Sequence, residues 1–326
     1  MLISRVNNPL SWANLTFKSE TKMVPREYFD MYCHSVRCVL ELDLNKRKVR
    51  AARYIVKCLF NPVASMNWVI ALNSLPELHF WFANNHRFLL KPGRHYINRN
   101  YNFEFRTQII FSHYAMLIRF LSTPAFESLA KGDSLILATL EGKTGQLYQI
   151  TLQKTCKFDR EGELVLQLSQ CTGGSSVFRF VFSLNIYGEY NGLEIGCVQG
   201  PKGEDACEII KCATKDFYGI RPKYLLADAL YALASSWNLT EFFGVSNSRR
   251  VYQDDQTHAD YDTFWLELGS TLCGNGMFRL PTALLHHQLS EVPSRHRSEY
   301  RKRILLRETL GKQISLATKA IGTSLL

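Results

Sequence analysis

The chain has 326 residues, of which 46% are hydrophobic and 21% are charged, a balance typical of a folded protein and not of a disordered one. No apolar run approaches the roughly 18 residues that a membrane-spanning helix needs. Its 39 basic residues exceed its 29 acidic ones, and the resulting charge of +10 favours an anionic partner such as RNA, a membrane surface or a phosphorylated cofactor. A solvated basic surface is the alternative explanation.

Targeting signals and cysteines narrow the class further. Residues 1–10 carry one charge and no continuous apolar core, so they do not resemble a signal peptide, and we expect a cytoplasmic protein. The nine cysteines include no C-x-x-C pair, and this odd count argues against a disulfide framework and against a zinc knuckle. We therefore expect reduced, mostly buried thiols and no metal site.

The first part of the chain, residues 1–130, is predicted to be helical, basic and aromatic. Its clearest helix covers residues 43–60. One stripe of this helix is apolar and consists of Val49, Ala52, Ile55, Val56, Leu59 and Phe60. The basic residues beside it include Lys46, Arg47, Lys48 and Arg50. Such a helix can lie on acidic lipid or on RNA, but we favour the alternative that its stripe packs on a protein core.

A second helix is predicted over residues 103–121. Arg106 and His113 are two turns apart on it and therefore share a face. His113 could donate or accept a proton near neutral pH, or it could be a hydrogen-bonded packing residue. The sequence leaves both interpretations open.

After Gly132 the pattern changes from helical to extended. Four stretches rich in β-branched and aromatic residues follow, separated by short turns. They cover residues 134–140, 146–156, 163–170 and 177–187. Connections this short impose antiparallel pairing, because a parallel crossover needs a dozen or more residues. With residues 193–198 as a fifth, buried strand, the sequence predicts an antiparallel meander.

The segment after the fifth strand is the best candidate for ligand binding. Residues 199–203 turn the chain and open a helix over residues 204–218, and a second helix begins at Pro222. Because a helix N-terminus carries unpaired N–H groups and a partial positive charge, this turn could hold an anionic ligand. A strand over residues 241–246 completes the predicted pocket. The cofactor-binding candidates are Gln199, Gly200, Lys202, Gly203, Arg221, Lys223 and Asn247.

The tail of the chain ends in a basic helix after residue 291. Its basic face could contact phosphates of RNA or of lipid, or it could simply face solvent. The candidate contacts are Arg295, Arg297, Arg301, Lys302 and Arg303. These changes of pattern divide the chain into a helical region (1–130), a sheet with helices (131–290) and a basic C-terminal helix (291–326).

Several segments together carry a family resemblance. They are Arg106 with His113-Tyr114, Leu193-Glu-Ile-Gly-Cys-Val-Gln-Gly-Pro201, Ala213-Thr-Lys-Asp-Phe-Tyr-Gly-Ile-Arg-Pro-Lys223, Gly244-Val-Ser-Asn247, residues 260–269, Phe278-Arg-Leu-Pro281 and residues 293–301. This set resembles the VirK/YbjX family of Gram-negative bacteria. The resemblance implies a cytoplasmic virulence and envelope-stress factor that supports virulence or envelope-protein expression after transcription and contributes to tolerance of antimicrobial peptides. It implies no agreed catalytic mechanism.

A second resemblance concerns the order of the elements. A meander, a turn, a helix, a strand and an aromatic helix before Gly269 are similar to the order in GNAT acetyltransferases. We therefore expect an α+β fold, in which a helical N-terminal part packs on an antiparallel, GNAT-like sheet. In these enzymes the turn binds the coenzyme A pyrophosphate, but here Pro201 removes one N–H and the usual glycine spacing is absent.

Three molecular hypotheses remain open. An acyltransferase would use coenzyme A or an acyl carrier, with Glu194 or His113 as base and Tyr252 or Tyr261 as acid. An RNA-binding protein would use the two basic helices on phosphates, and an adaptor at the inner face of the membrane would use them on acidic lipids. Because no nucleophile–base pair can be identified, we rank the adaptor and regulatory roles together above an enzyme.

Overall fold

The computed structural model describes residues 47–75, 91–252 and 259–323, together with Glu77, Leu78, Trp81 and Phe88. Within these residues the chain forms eight α-helices and one eight-stranded sheet. The helices are α1 (Arg47–Phe60), α2 (Pro62–Ser74), α3 (Phe103–Phe120), α4 (Thr123–Lys131), α5 (Ala206–Asp216), α6 (Pro222–Ser236), α7 (Tyr261–Glu267) and α8 (Arg297–Ile321). The strands are β1 (Leu135–Glu141), β2 (Leu147–Lys154), β3 (Leu164–Gln170), β4 (Ser176–Tyr187), β5 (Tyr190–Gln199), β6 (Glu241–Val245), β7 (Thr271–Leu272) and β8 (Met277–Arg279).

The sheet confirms the predicted α+β class. Its strand order is β1-β2-β3-β4-β5-β6-β8-β7, and the first five strands form the expected antiparallel meander. Strands β5 and β6 are parallel, because α5 and α6 carry the chain back across the sheet between them. The short strands β7 and β8 were not predicted, since two or three residues are too few to show a period.

The helices begin and end where the sequence signals suggest. The Asn102 side chain caps α3 by accepting a hydrogen bond from the Phe105 N–H, 2.8 Å away. Pro62 and Pro222 occupy the first turns of α2 and α6, where a missing N–H costs nothing. Gly132 ends α4 in a left-handed conformation with φ of +100°.

The core lies between the sheet and its helices. Helix α3 packs along β4, and α8 packs on α6 and β1. Large side chains from these layers, including Trp81, Phe182, Trp237 and Trp265, are almost completely buried in one continuous apolar cluster. No helix among the described residues combines the length and the apolar character needed to cross a bilayer. The three-part division of the chain stays a prediction.

Helix α1 differs from the prediction. Its apolar stripe was expected to pack on protein, but Leu59 and Phe60 are 70% and 82% exposed and Val56 is about half exposed. The helix instead meets the protein through buried Cys58 and through Lys57, whose ammonium donates to the Gly93 carbonyl. The end of the stripe therefore faces solvent. Lys46 and the side chains of Arg47, Lys48 and Arg50 lie outside what the structure describes.

The expectation of mostly buried cysteines is also wrong for the described residues. Cys58 and Cys197 are buried, but four others are exposed. Cys207 and Cys212 lie on α5, which buries only a narrow face, including Ala213. The other two exposed thiols, at Cys156 and Cys171, follow the ends of β2 and β3.

Candidate functional site

The parallel strands β5 and β6 separate at a bulge. Pairing between them ends at Ile195 and Gly244. On the other side of β5 the register with β4 shifts at the same point, so that Gly196 is the extra residue of the bulge. A Cβ atom on Gly196 would lie 2.0 Å from the carbonyl oxygen of Glu161, and only glycine allows the loop that carries Glu161 to approach. Beyond the bulge a gap opens between the two strands.

Helix α7 lies across this gap and hydrogen-bonds to both strands. The Tyr261 hydroxyl accepts a hydrogen bond of 2.9 Å from the Val198 N–H on β5. The Trp265 indole N–H donates one of 2.9 Å to the Val245 carbonyl on β6. Two backbone groups that the diverging strands no longer pair are thereby satisfied. The predicted acid, Tyr261, therefore lies in the gap, where burial raises its pKa well above the usual range and keeps the phenol protonated.

Glu161 lies beside Tyr261 and Cys197 at the edge of the gap. Burial raises the pKa of Glu161 to about 7, while a hydrogen bond with the Cys197 thiol and the charge of Arg250 act in the opposite direction. The Tyr261 hydroxyl also donates to the Cys197 sulfur at 3.5 Å. A carboxyl group that titrates near neutral pH next to a phenol that stays protonated is suited to proton transfer. Glu161 was not among the predicted site residues, because the sequence of its turn indicates only a hairpin connection.

His113 lies on α3, where it covers the open edge of β4. Its Nδ1 accepts the Leu184 N–H at 3.1 Å, two residues past Phe182, where the pairing of β4 with β3 stops. Burial lowers the pKa of His113 to about 3, so the imidazole is neutral at physiological pH. Arg106, on the same helix, donates to the Pro92 carbonyl at 3.2 Å. A catalytic role for His113 stays a prediction, and its geometry is that of a backbone acceptor.

The other predicted base, Glu194, is buried in a satisfied network. Its carboxylate accepts hydrogen bonds from Asn185 at 3.0 Å, Tyr187 at 2.6 Å and Tyr101 at 2.8 Å. Burial raises the pKa of Glu194, and these three donors act in the opposite direction. Both carboxylate oxygens are thus occupied within the protein. Tyr252, the alternative acid, is exposed and lies under the Arg160 guanidinium.

The predicted phosphate turn does not fit a pyrophosphate group. Lys202 and Gly203 are exposed there, Gln199 and Gly200 are half-buried, and Pro201 has no N–H to donate. Helix α5 begins after the exposed carboxylates of Glu204 and Asp205, with Glu208 in its first turn. Negatively charged side chains at a helix N-terminus offset the positive potential that would attract an anionic ligand. Coenzyme A therefore stays a prediction without a phosphate cradle at this turn.

Asn247 organises the start of α7. Its backbone N–H donates to Asp262 at 2.7 Å, and its side-chain amide donates to Asp260 at 2.8 Å. The side-chain oxygen accepts the Tyr261 N–H at 3.0 Å. The polar atoms of the predicted cofactor ligand are therefore used to fix Tyr261 in the gap.

Two groups of predicted residues meet at a different place. Arg221, from the predicted cofactor set, and Arg303, from the basic tail, line one cavity of about 280 Å³ together with Arg307. We call this cavity, between the start of α6 and α8, the basic pocket. Lys223 lies next to it and forms an ion pair of 2.7 Å with Glu267 on α7. Of the remaining basic tail, Arg295, Arg301 and Lys302 are exposed, and Arg297 donates to the Val292 carbonyl at 2.9 Å.

The junction of α1 and α2 carries a different kind of surface. Val63, in the first turn of α2, is 67% exposed next to Leu59 and Phe60. Val56 and Met66 extend the same surface and are about half exposed. We call these five residues the apolar corner. Neighbouring exposed apolar side chains of this kind are typical of interaction sites.

Relatives of this chain occur in Escherichia coli and Haemophilus influenzae. The YbjX protein of Escherichia coli (strain K12) is 27% identical over 270 residues, which cover 81% of this chain and 82% of that protein. A protein of Haemophilus influenzae is 31% identical over 171 residues, covering 51% of this chain and 56% of its own length.

Two structures of a cAMP-binding acyltransferase from Mycobacterium smegmatis align at 10% identity, with TM-scores of 0.30 and 0.27. The alignments cover 66% of this chain and 64% and 61% of those chains, which is just under two thirds of their length. At these TM-scores the likeness supports no conclusion. The family resemblance is confirmed: this chain belongs to the VirK/YbjX family, whose model, described as "Protein of unknown function (DUF535)", matches residues 43–315.

Proposed function

We propose that this protein is a peripheral adaptor that docks on an anionic membrane surface through the apolar corner. The observation that carries the proposal is the exposure of Leu59, Phe60 and Val63 at one helix junction. Large apolar side chains are normally buried. A group of neighbouring ones that is exposed to solvent indicates a surface that binds another apolar surface.

The hydrophobic contribution of the apolar corner is of a size at which binding to a lipid surface needs a second, electrostatic contribution. Complete burial of one such side chain contributes roughly 1.5–3 kcal/mol, so Leu59, Phe60 and Val63 together contribute on the order of 5 kcal/mol. A membrane contact of that strength is marginal and reversible, as for a single acyl chain. Stable association therefore requires additional electrostatic attraction.

The sequence of α1 supplies this attraction. The helix contains three arginines and two lysines and no acidic residue, and it leads directly into the apolar corner. Each Lys or Arg near an anionic bilayer contributes about 1 kcal/mol, and this contribution falls with salt. An apolar corner that follows a basic helix therefore matches a bilayer with acidic headgroups better than it matches a neutral one.

Vesicle sedimentation tests the proposal. The full chain should pellet with vesicles that contain phosphatidylglycerol, and should pellet less with pure phosphatidylcholine or at high salt. Leu59→Ser/Phe60→Ser should weaken binding by at least about tenfold, because most of the apolar contribution is lost. The control Leu272→Ser/Leu316→Ser removes two leucines that are 62% and 68% exposed elsewhere and should bind normally. Equal loss in both variants, or salt-sensitive binding to RNA without binding to vesicles, would overturn the adaptor.

For the biological role we propose what the family resemblance implies. The protein would act in the cytoplasm at the inner face of the inner membrane, supporting virulence or envelope-protein expression after transcription and tolerance of cationic antimicrobial peptides. A deletion strain should become more sensitive to such a peptide. Wild type and the Leu272→Ser/Leu316→Ser control should restore tolerance, whereas Leu59→Ser/Phe60→Ser should not. Full rescue by the Leu59→Ser/Phe60→Ser variant would show that this biological role does not require the membrane contact.

An acyltransferase is the second candidate, and the Glu161–Tyr261 pair favours it. Glu161 could accept a proton near neutral pH, and Tyr261 holds one that it could donate. Calorimetric titration with coenzyme A and with acyl carrier protein tests this candidate. The absence of binding to both would remove it, because an acyl donor has to dock before either residue can act.

A further inference from the structure

We infer that the basic pocket binds a phosphate monoester group. The inference is independent of the apolar corner, which belongs to other elements of the fold. It is carried by three arginines that line one cavity: Arg303 and Arg307 on α8, and Arg221 at the residue that precedes α6.

Two of the arginines are held in place by the protein. The Arg303 side chain donates through Nε to the Tyr218 carbonyl, and it lies against Gly219, where a Cβ atom would be 2.6 Å from its guanidinium. The Arg307 Nε donates to Asp228 at 2.8 Å. Because these contacts use the Nε atoms, outer nitrogens of both guanidinium groups can still donate to a ligand, and one of those of Arg303 also lies 3.8 Å from Glu299. Such preorganisation lowers the entropy lost on binding.

The charge of the pocket favours a ligand group with more than one negative charge. Arg221, Arg303 and Arg307 provide three positive charges. Two carboxylates, Asp228 beside Arg307 and Glu299 beside Arg303, provide two negative charges, so the excess is positive. His286 lies 2.9 Å from the other oxygen of Asp228, and the half-exposed Glu299 is 3.8 Å from Arg303. A phosphate monoester carries about 1.5 to 2 negative charges at pH 7, so it is attracted by the three arginines more strongly than a single carboxylate is. Its oxygens also suit the planar fork of arginine.

The size of the cavity limits the ligand. A volume of about 280 Å³ lies at the lower end of ligand pockets. It accommodates one phosphate group and a short part of the molecule that carries it, but not a dinucleotide. The same headgroup chemistry occurs in soluble phosphate monoesters and in phosphatidic acid, and the source has to be determined by experiment.

Calorimetry on the full chain with inorganic phosphate and with glycerol 3-phosphate tests the inference. Arg221→Ala removes a charge that is exposed at the rim, so the variant should fold normally while binding weakens by about tenfold or more. Arg301→Ala is the matched control, because Arg301 is exposed on α8 outside the cavity. Its affinity should stay within about twofold of wild type. Absence of binding by the wild-type protein, or equal weakening in both variants, would overturn the site.

Vesicles distinguish the two sources and separate this inference from the proposed adaptor. If the group is a lipid headgroup, Arg221→Ala should reduce binding to phosphatidic acid more than binding to phosphatidylglycerol. If it is a soluble monoester, Arg221→Ala should affect only the calorimetric titrations. Leu59→Ser/Phe60→Ser should still bind inorganic phosphate like wild type. Loss of phosphate binding in that variant would contradict a separate pocket.

Discussion

The hydroxyl of Tyr261 accepts the hydrogen bond that the Val198 N–H cannot donate to β6, at a distance of 2.9 Å. The bulge at Gly196 ends the pairing of the two parallel strands, and a side chain from α7 replaces the missing backbone acceptor. One tyrosine, the predicted acid, therefore joins the sheet to the helix.

Tyr261→Phe should destabilise the fold. The substitution keeps the ring but leaves the buried Val198 N–H without an acceptor, and an unsatisfied buried donor costs about 1–3 kcal/mol. Urea denaturation measures this loss as a decrease in the free energy of unfolding. Tyr252→Phe is the control, because Tyr252 is 43% exposed and its ring still lies under Arg160 after the change. A Tyr261→Phe variant as stable as the control would show that the hydrogen bond contributes nothing.

Gly196→Ala should be more damaging than an ordinary glycine substitution. The new Cβ would meet the Glu161 carbonyl oxygen at 2.0 Å, and the backbone of two elements would have to move. Overpacking of this kind typically costs about 1–3 kcal/mol, and a clash with backbone lies at the upper end. Thermal and urea unfolding should show a large loss or failure to fold. Gly274→Ala provides the comparison, since a Cβ there would meet nothing within 4 Å. Similar stability of the two variants would contradict the close approach at the bulge.

Glu161 should make the protein less stable as the pH rises. Burial raises the pKa of its carboxyl group from 4.5 to about 7 in the folded protein. Between these pH values the unfolded chain releases the proton while the folded protein keeps it, so the free energy of unfolding decreases as pH increases. Above about pH 7 the loss is complete and of the order of 3 kcal/mol.

Glu161→Gln removes this titration. The variant should gain stability relative to wild type between pH 4 and pH 8, as measured by urea denaturation at a series of pH values. Glu308→Gln, at an exposed position of α8, is the control for the loss of one carboxylate. Parallel stability curves for wild type and Glu161→Gln would show that Glu161 titrates normally.

Lys91→Met should leave a buried charge without its partner. The Lys91 ammonium forms a buried ion pair with Glu163, which also accepts hydrogen bonds from Tyr96 and Tyr114. Burial opposes ionisation of Glu163, but the charge of Lys91 and the hydrogen bonds from Lys91 and Tyr114 are among the interactions that together outweigh burial, and the pKa of Glu163 lies below its usual range. Removal of one partner of a buried pair typically costs about 3–5 kcal/mol. Urea denaturation at pH 7 should show this loss.

Two further variants test the cause of that loss. Lys91→Met/Glu163→Gln should recover part of the stability, because the uncompensated charge is gone. Lys131→Met removes an exposed lysine that lies 3.9 Å from Glu127 and should change the free energy of unfolding by less than about 1 kcal/mol. The Lys91→Met penalty should shrink as the pH falls and Glu163 becomes protonated. A penalty that is independent of pH would point to packing instead of charge.

Much of the fold was determined by local patterns in the sequence. The stretch predicted over residues 146–156 is β2 (Leu147–Lys154), and the stretch over residues 177–187 is β4 (Ser176–Tyr187). Alternating side chains and short turns were sufficient to predict these strands, because the spacing of apolar residues and the length of a loop are properties of neighbouring residues. The same patterns identified α3, and the family segments were recognised from their residues alone.

The tertiary structure alone decided which of these residues act together. Arg221 and Arg303 were singled out by separate arguments, and only the packing of α8 on α6 brings them to one cavity. The pKa of Glu161 is raised by burial against β5, and no residue next to it in the chain indicates this. Phe60 is exposed while the neighbouring Cys58 and Lys57 contact the protein, and the period of α1 does not reveal which side does so. The hydrophobic period of a helix or strand is set by neighbouring residues. Burial and the convergence of charges depend instead on contacts between residues far apart in the chain, and a local sequence pattern does not contain these contacts.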